Sequence, residues 1–395
     1  VAHALDLEAI RSAIRAQGLD GWLFFDHHRR DPLAYRILRF DPQQTPTRRW
    51  YYLIPASGDP IKIQHRIEAA ILDSLPGRSL FYSSWKEHRS LLGTLLSEHR
   101  RIAAQYSPGC NVPYVAMVDA GTIELLRELR AEVVSSADLV QLFEARWSAE
   151  QLASHLEAGR RVDAIRRAAF QEISSALRSR RTTAEYEIRT FILTAFEREG
   201  LFTDHGPIVA VNANASNPHY EPTPDSSSPI RHGDVVLIDL WAKLKEPRSV
   251  YYDITWTGYC GADPPSEVLV VFDIVRGARD AVVARVHDTL ASGQTMRGCD
   301  ADDIARAYIT ERGMGEHFIH RTGHSIGEDV HGAGANIDNF ETHDERQLLP
   351  GCCFSVEPGV YLAQFGIRSE VNVFVEHHGA RVTGEVQTEL LRLGS

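Results

Sequence analysis

Acids set inside apolar strands are the chemically suggestive feature of this chain. Asp239 sits in "VVLIDLW" and Asp253 in "VYYDITW", and the intervening "KLKEPRS" carries Pro247 and reads as a turn. Folding this hairpin about residue 246 sets the two aspartates directly opposite one another, with Cβ atoms roughly 5 Å apart. The arrangement recurs downstream. Glu357 in "CFSVEPGVYL" and Glu370 in "GIRSEVNVFV" come face to face if the chain folds about residues 363 and 364. Like charges opposed across a ladder destabilise it unless a cation lies between them. Any one of these acids is explained by a solvated strand face; two mirrored pairs are not.

A second stretch, "HRTGHSIGEDVHG" from His320 to Gly332, holds three histidines and a serine among glycines. Gly323-His324-Ser325-Ile326-Gly327 fits G-x-S-x-G, the elbow that presents a serine nucleophile. That elbow needs a helix after the serine, and "IGEDVHGAGANID" has no apolar period of 3.6. It also leaves both acid pairs unexplained. A zinc site on one helical turn of "HRTGH" fails because Gly323 and Gly327 disfavour a helix. The remaining reading gives His324 to a metal. Four carboxylates and one imidazole suit manganese, cobalt or zinc, with enough acids for two ions sharing bridging carboxylates. Water held between two such ions loses a proton near neutral pH and becomes a nucleophile.

The elements that must position these groups fall into two textures. Residues 6–17 read as a helix capped by Asp6, and "WLFF" (22–25) as a buried strand. "WYYLIP" and "IKIQH" read as a hairpin. Further strands alternate with helices near 86–99 and 120–131, which predicts an α/β domain. A long helix then opens at a Ser148–Gln151 capping box and runs through Leu177; a Thr182–Glu185 box opens another ending near Gly200. Beyond residue 207 the runs are short and β-rich, interrupted by helices over 266–291 and 301–312, the second capped by Asp300.

A chain of 395 residues favours two domains over one core. Forty-two basic against 53 acidic residues, a net charge of −11, argue against nucleic acid or an anionic membrane as the main partner. No apolar run approaches the roughly 20 residues of a membrane span. The start lacks a long apolar core with a cleavage site, and five cysteines without a C-x-x-C pair read as buried thiols in a reducing compartment. A cytoplasmic protein is the default expectation.

Taken in order, "LIDLWA", "YYDITWTG", "GHSIG", "SVEPGVY" and "GIRSE" resemble the pita-bread metallopeptidases, in particular their Xaa-Pro dipeptidase and Xaa-Pro aminopeptidase branch. The resemblance implies an α/β amino-terminal domain, residues 1–145, for dimerisation and substrate access. An α+β pita-bread catalytic domain, residues 146–395, follows it. Two divalent ions, manganese first, would be held by Asp239 on one side and by His324 and Glu357 on the other, with Asp253 and Glu370 bridging. Glu357 would be the general base, His331 would stabilise the scissile carbonyl, and His219 and His320 would shape the substrate pocket. Tyr361 and Arg368 match a relay behind Asp239. The implied activity is hydrolysis of short peptides, Xaa-Pro dipeptides first, by a homodimer. The alternatives are an Xaa-Pro aminopeptidase, or a creatinase-like C–N hydrolase, which lacks the full ligand set. The hairpin between Asp239 and Asp253 is longer than the family's common form, and His27 and His28 are expected at the surface.

Overall fold

A computed structural model describes residues 5–40 and 45–394. The first four residues of the start lie outside them. The chain forms two units, one ending at Glu144 and one beginning at Ala145.

In the amino-terminal unit, α1 (Leu7–Ala16) is capped by the Asp6 carboxylate, which accepts from the Ala9 N–H at 3.0 Å, and it buries Ile10 and Ile14. Then come β1 (Gly21–Asp26), α2 (Pro32–Leu38), β2 (Trp50–Pro55), β3 (Ile61–His65), β4 (Arg78–Tyr82), α3 (Trp85–Glu98), β5 (Arg101–Ala104), α4 (Ala120–Glu128), β6 (Glu132–Ser135) and α5 (Ala137–Val140). The six strands make one mixed sheet in the order β4-β3-β2-β1-β5-β6. Every residue of β1 and β2 is buried, which is why both read as unbroken apolar runs and not as alternating ones.

The second unit opens with α6 (Ala149–Ser179), whose Ser148–Gln151 box is formed at both of its hydrogen bonds. Its buried stripe, Ala158, Val162, Ile165, Ala169 and Ile173, packs into a core shared with the strands that follow. After β7 (Thr183–Ala184), α7 (Glu185–Arg198) is not opened by Thr182 and Glu185. Glu187 accepts from the Ala184 N–H instead. Glu185 is fully buried and takes hydrogen bonds from the Val211 and Ser228 N–H groups and the Tyr220 hydroxyl, so tertiary donors outbid the local cap.

Next come β8 (Leu201–Phe202), β9 (Ile208–Val211), β10 (Pro229–Ile230), β11 (Val235–Leu244), β12 (Tyr252–Cys260), α8 (Ser266–Ala291) and α9 (Gly298–Thr310). Helix α9 begins before Asp300. The Gly298 and Cys299 N–H groups donate to the carbonyls of Arg346 and Asp344, which fix the first turn. The last strands are β13 (Ser325–Ile326), β14 (Cys353–Val356), β15 (Gly359–Tyr361), β16 (Gly366–Arg368), β17 (Val371–Val375), β18 (Ala380–Thr383) and β19 (Leu391–Leu393). They form a sheet in the order β13-β14-β17-β18 and a β15–β16 ribbon, while β19 joins β12 and β11 in a sheet that β8 and β9 complete.

Register decides where the acids fall. Asp239 pairs with Thr255, and Asp253 with Trp241, so the two aspartates are diagonal neighbours rather than directly opposed. The turn centres on Pro247: Arg248 adopts φ +63° and the Ser249 hydroxyl bonds the Leu244 carbonyl at 2.6 Å, making the connection wider than a centre at 246 allows. Moving the centre by one shifts each pair by two residues, so both acids keep the same face. In the second hairpin, β15–β16 and β14–β17 share one register centred between residues 363 and 364. Glu357 and Glu370 lie at matching positions in the gap between those ladders.

Candidate metal centre

The gap exists because both glutamates send their backbones elsewhere. The Glu357 N–H donates to the Thr322 carbonyl at 2.8 Å and the Glu370 N–H to the Thr255 carbonyl at 3.0 Å. The second hairpin is thereby joined to β12 on one side and to the segment carrying His324 on the other. Asn372 strengthens the first join, accepting from the Asp253 N–H at 3.1 Å and donating to its carbonyl. Gly323 makes the second join possible: a Cβ there would meet the Ser355 carbonyl oxygen at 1.9 Å. Asp302, fully buried, pins the same segment by accepting from the Thr322 N–H at 2.9 Å and from Arg306 at 2.6 Å.

These joins bring Asp253, His324 and Glu370 together, each with a ligand atom within 4.8 Å of the others. His324 Nε2 also lies 3.3 Å from Glu357 Oε1 and 3.6 Å from Asp253 Oδ2. Its Nδ1 lies 3.1 Å from the Ser325 carbonyl, which places a proton on Nδ1 and turns Nε2, the atom a cation would take, toward the acids. Against burial, Asp253 and Glu357 raise the His324 pKa. Two hydroxyls orient the glutamates: Ser355 donates to Glu357 Oε1 at 2.9 Å and Thr255 to Glu370 Oε2 at 2.8 Å. Asp239 receives Arg368 Nη2 at 2.5 Å.

The charges are arranged against themselves. Burial, with the Asp253 and Glu357 charges adding to it, pushes Asp239 up to about 7 despite Arg368. Burial and the neighbouring acids raise Asp253 and lift Glu370 well above the usual carboxylate range. Glu357 differs. Burial would raise it as well, but the His324 charge, with Arg368 and Arg321 adding to it, brings it below its ordinary value. Asp239 Oδ1, Asp253 Oδ1 and Glu370 Oε1 are buried and accept no hydrogen bond. The orphaned oxygens of Asp253 and Glu370 belong to one cluster with the His324 imidazole, a donor set that fits a divalent cation, and Asp239, diagonal to Asp253, carries a further orphaned oxygen.

The remaining histidines separate into two groups. His320 Nε2 accepts from the Tyr361 hydroxyl at 2.7 Å and its Nδ1 faces the Arg321 carbonyl at 2.7 Å, so both nitrogens are engaged. Burial holds it neutral, down to about 4. Arg368 continues the chain, donating to the Tyr361 oxygen at 3.1 Å and through Nε to Thr255 at 3.1 Å. His320 therefore has only its carbon edge for a substrate pocket. His331 packs edge-on to His324 with ring centroids 4.3 Å apart, and the His324 charge, then lost hydration, pushes its pKa down. His219 is exposed and close enough for its charge to act on His331. Ser325 is buried, with Oγ accepting from the Gly334 N–H at 2.9 Å and no helix following it. It cannot serve as the nucleophile of an elbow.

Sequence reasoning missed Thr255, Ser355, Asn372 and Asp302. The first three each lie two residues from an acid in a strand pattern, on that acid's face, and period-two counting reaches them. Asp302 sits in a helix with nothing local to mark it.

The profile of Metallopeptidase family M24 matches residues 153–377. An Xaa-Pro dipeptidase of Lactobacillus delbrueckii subsp. lactis is 29% identical over 215 residues, 54% of this chain and 53% of that protein. An Xaa-Pro dipeptidase of Pyrococcus furiosus is 30% identical over 225 residues, 57% and 58% of the two. The matched segment thus spans about half the length of these curated relatives. The crystal structure of dipeptidase PepE from Mycobacterium ulcerans superposes with TM-score 0.72 at 24% identity, covering 98% of this chain and 96% of that one. Recombinant prolidase from Thermococcus sibiricus gives 0.65 at 23%, covering 98% of each. The architecture is the pita-bread fold, and no described helix is long and apolar enough to cross a membrane. With more than half of its length matched by the profile, and with a buried acid–histidine cluster inside that length, the chain belongs to metallopeptidase family M24.

Proposed function

We propose that this protein is a divalent-metal-dependent peptidase acting on short peptides, with Xaa-Pro dipeptides as the leading substrates. The observation that carries the reading is the buried cluster of Asp253, His324 and Glu370, with orphaned carboxylate oxygens on both of its acids and on Asp239 diagonal to Asp253. Asp239, Asp253, His324, Glu357 and Glu370 would hold two ions, manganese by the predominance of oxygen ligands. When bound, such ions supply Lewis-acid polarisation of an amide carbonyl and activation of water. Glu357, oriented by the Ser355 hydroxyl and 3.3 Å from His324, is the acid placed to take a proton from the attacking water and return it to the leaving nitrogen. His331, held neutral, offers an N–H to the carbonyl oxygen as it becomes tetrahedral, with His219 beside it. The His320–Tyr361–Arg368 chain keeps Asp239 oriented and balances its charge.

The names of the curated relatives support Xaa-Pro dipeptides ahead of longer peptides. The division at residues 144 and 145 supports separate roles, the first unit serving dimerisation and substrate access. Ile67 and Trp85 in that unit are 72% and 67% exposed, which suits an interface between copies of the chain. No disulfide joins the five cysteines, which is in keeping with a reducing, cytoplasmic setting.

The test is hydrolysis of Ala-Pro, Leu-Pro, Ala-Leu and Ala-Pro-Ala by chelator-stripped protein before and after manganese is restored. Turnover returning with metal, fastest on an Xaa-Pro dipeptide, is expected. Failure to cleave any peptide with metal bound would refute the activity.

A further inference from the structure

The face of β11 that carries Asp239 continues outward past the acids. Trp241 is the next residue on that face and stands directly opposite Asp253; Lys243 follows, opposite Phe202 of β8. The Trp241 ring packs in part on a cluster of Ile208, Ala210, Ala215 and Leu237, with Tyr220 alongside, and the rest of it is open. Its indole N–H donates to Asp204 Oδ1 at 3.1 Å, which sets the orientation of the ring. Phe202, farther out, is 44% exposed. A half-open indole beside a charged centre, with an exposed phenyl ring farther out, leaves apolar surface open next to the cluster.

We propose that Trp241, with Ile208 behind it and Phe202 at its outer edge, is the specificity wall that receives the side chain of a peptide's amino-terminal residue, favouring branched aliphatic and aromatic side chains. The inference rests on the peptidase reading above. The wall starts opposite Asp253 and runs outward to Lys243, about 7 Å. There the ammonium turns away to the Glu328 carbonyl and its stem lies along the Phe202 ring, the nitrogen 5.8 Å from the ring centre. That span is longer than a proline ring and matches a leucine or phenylalanine side chain, which assigns it to the variable residue and not to the proline.

The experiment compares kcat/KM for Gly-Pro, Ala-Pro, Leu-Pro and Phe-Pro with manganese present, in wild type, Trp241→Ala, Trp241→Phe and Phe202→Ala. Wild type should prefer Leu-Pro and Phe-Pro over Gly-Pro by roughly 30-fold or more, the scale of a few methylene contacts. Trp241→Ala should cut that ratio by about tenfold, Trp241→Phe should retain most of it, and the exposed Phe202→Ala, which does not threaten folding, should lower the Phe-Pro ratio chiefly. A flat wild-type preference, or a ratio unmoved in both alanine variants, overturns the wall while leaving the peptidase reading intact. Absence of all turnover ends the peptidase reading instead. Titration calorimetry with Leu-Pro and Gly-Pro then decides the wall: weaker Leu-Pro binding in Trp241→Ala retains it, and equal binding of the two dipeptides by wild type overturns it.

Discussion

Replacing Thr255 by valine keeps the shape of a fully buried side chain and removes one hydroxyl. That hydroxyl donates to Glu370 Oε2 at 2.8 Å and accepts from Arg368 Nε at 3.1 Å, so the change deprives a candidate ligand of its orienting donor and a buried guanidinium of an acceptor. With Glu370 lifted well above the usual carboxylate range in stripped protein, the first is an ordinary bond worth about 0.5–1.5 kcal/mol, and the second, to a guanidinium, is worth about 1.5–3 kcal/mol. Because Arg368 keeps Asp239 and Tyr361, only part of the second is lost, and a total of about 1–3 kcal/mol is expected. Metal affinity should fall as well, by about 10–100-fold, since Glu370 can then rotate away from the position its free oxygen occupies. Urea unfolding of the stripped protein and manganese titration of the same sample give the two numbers. Lower stability with unchanged metal affinity would make Thr255 merely structural, and no change in either would refute the hydroxyl's part in the network.

His331→Ala should lower kcat by about 10²-fold while manganese stays bound, as loss of an oxyanion donor does; a drop in metal content would reassign the residue. Ser325→Ala should leave turnover within about threefold and cost about 1 kcal/mol through the bond lost from the Gly334 N–H; collapsed activity in folded protein would revive the serine nucleophile. His155 is fully buried between the Tyr251 carbonyl at 2.6 Å and the Thr383 hydroxyl at 2.7 Å, and burial pushes it from 6.5 down to about 4. The unfolded chain takes up the proton first, so this stability is complete above pH 6.5 and drains away as pH falls towards 4, about 3 kcal/mol in all. In His155→Gln the loss of urea stability between those pH values should be smaller by that amount; equal slopes would contradict the assignment.

Much of the fold could be read from the chain because its local signals agree with its packing. Asp6, Ser148 and Gln151 cap the helices that the sequence opens with them, and the unbroken apolar runs at 21–26 and 50–55 are interior strands. The places where the reading slipped have tertiary causes. Glu185 is drawn from a helix cap into bonds with residues 211, 220 and 228, and the first turn of α9 is held by the carbonyls of residues 344 and 346. The β11–β12 register missed by one turn position because Arg248 takes a left-handed conformation that no glycine advertised. That error did little harm to the site, since a shift of two residues preserves the face. What the sequence hides is the joining of distant segments. Neither Asn372 on Asp253 nor Asp302 beneath Thr322 has a local pattern, because each acts on a strand or loop far away in the chain.

The central claim is that this acid cluster is a binding site for two divalent ions. Calorimetric titration of manganese into chelator-stripped protein, with bound metal counted after gel filtration, tests it without reference to turnover. Two equivalents per chain in wild type, with binding abolished in Asp253→Ala and Glu370→Ala, is the expected result. Wild type that retains no manganese, or alanine variants that retain both equivalents while folded, would contradict it.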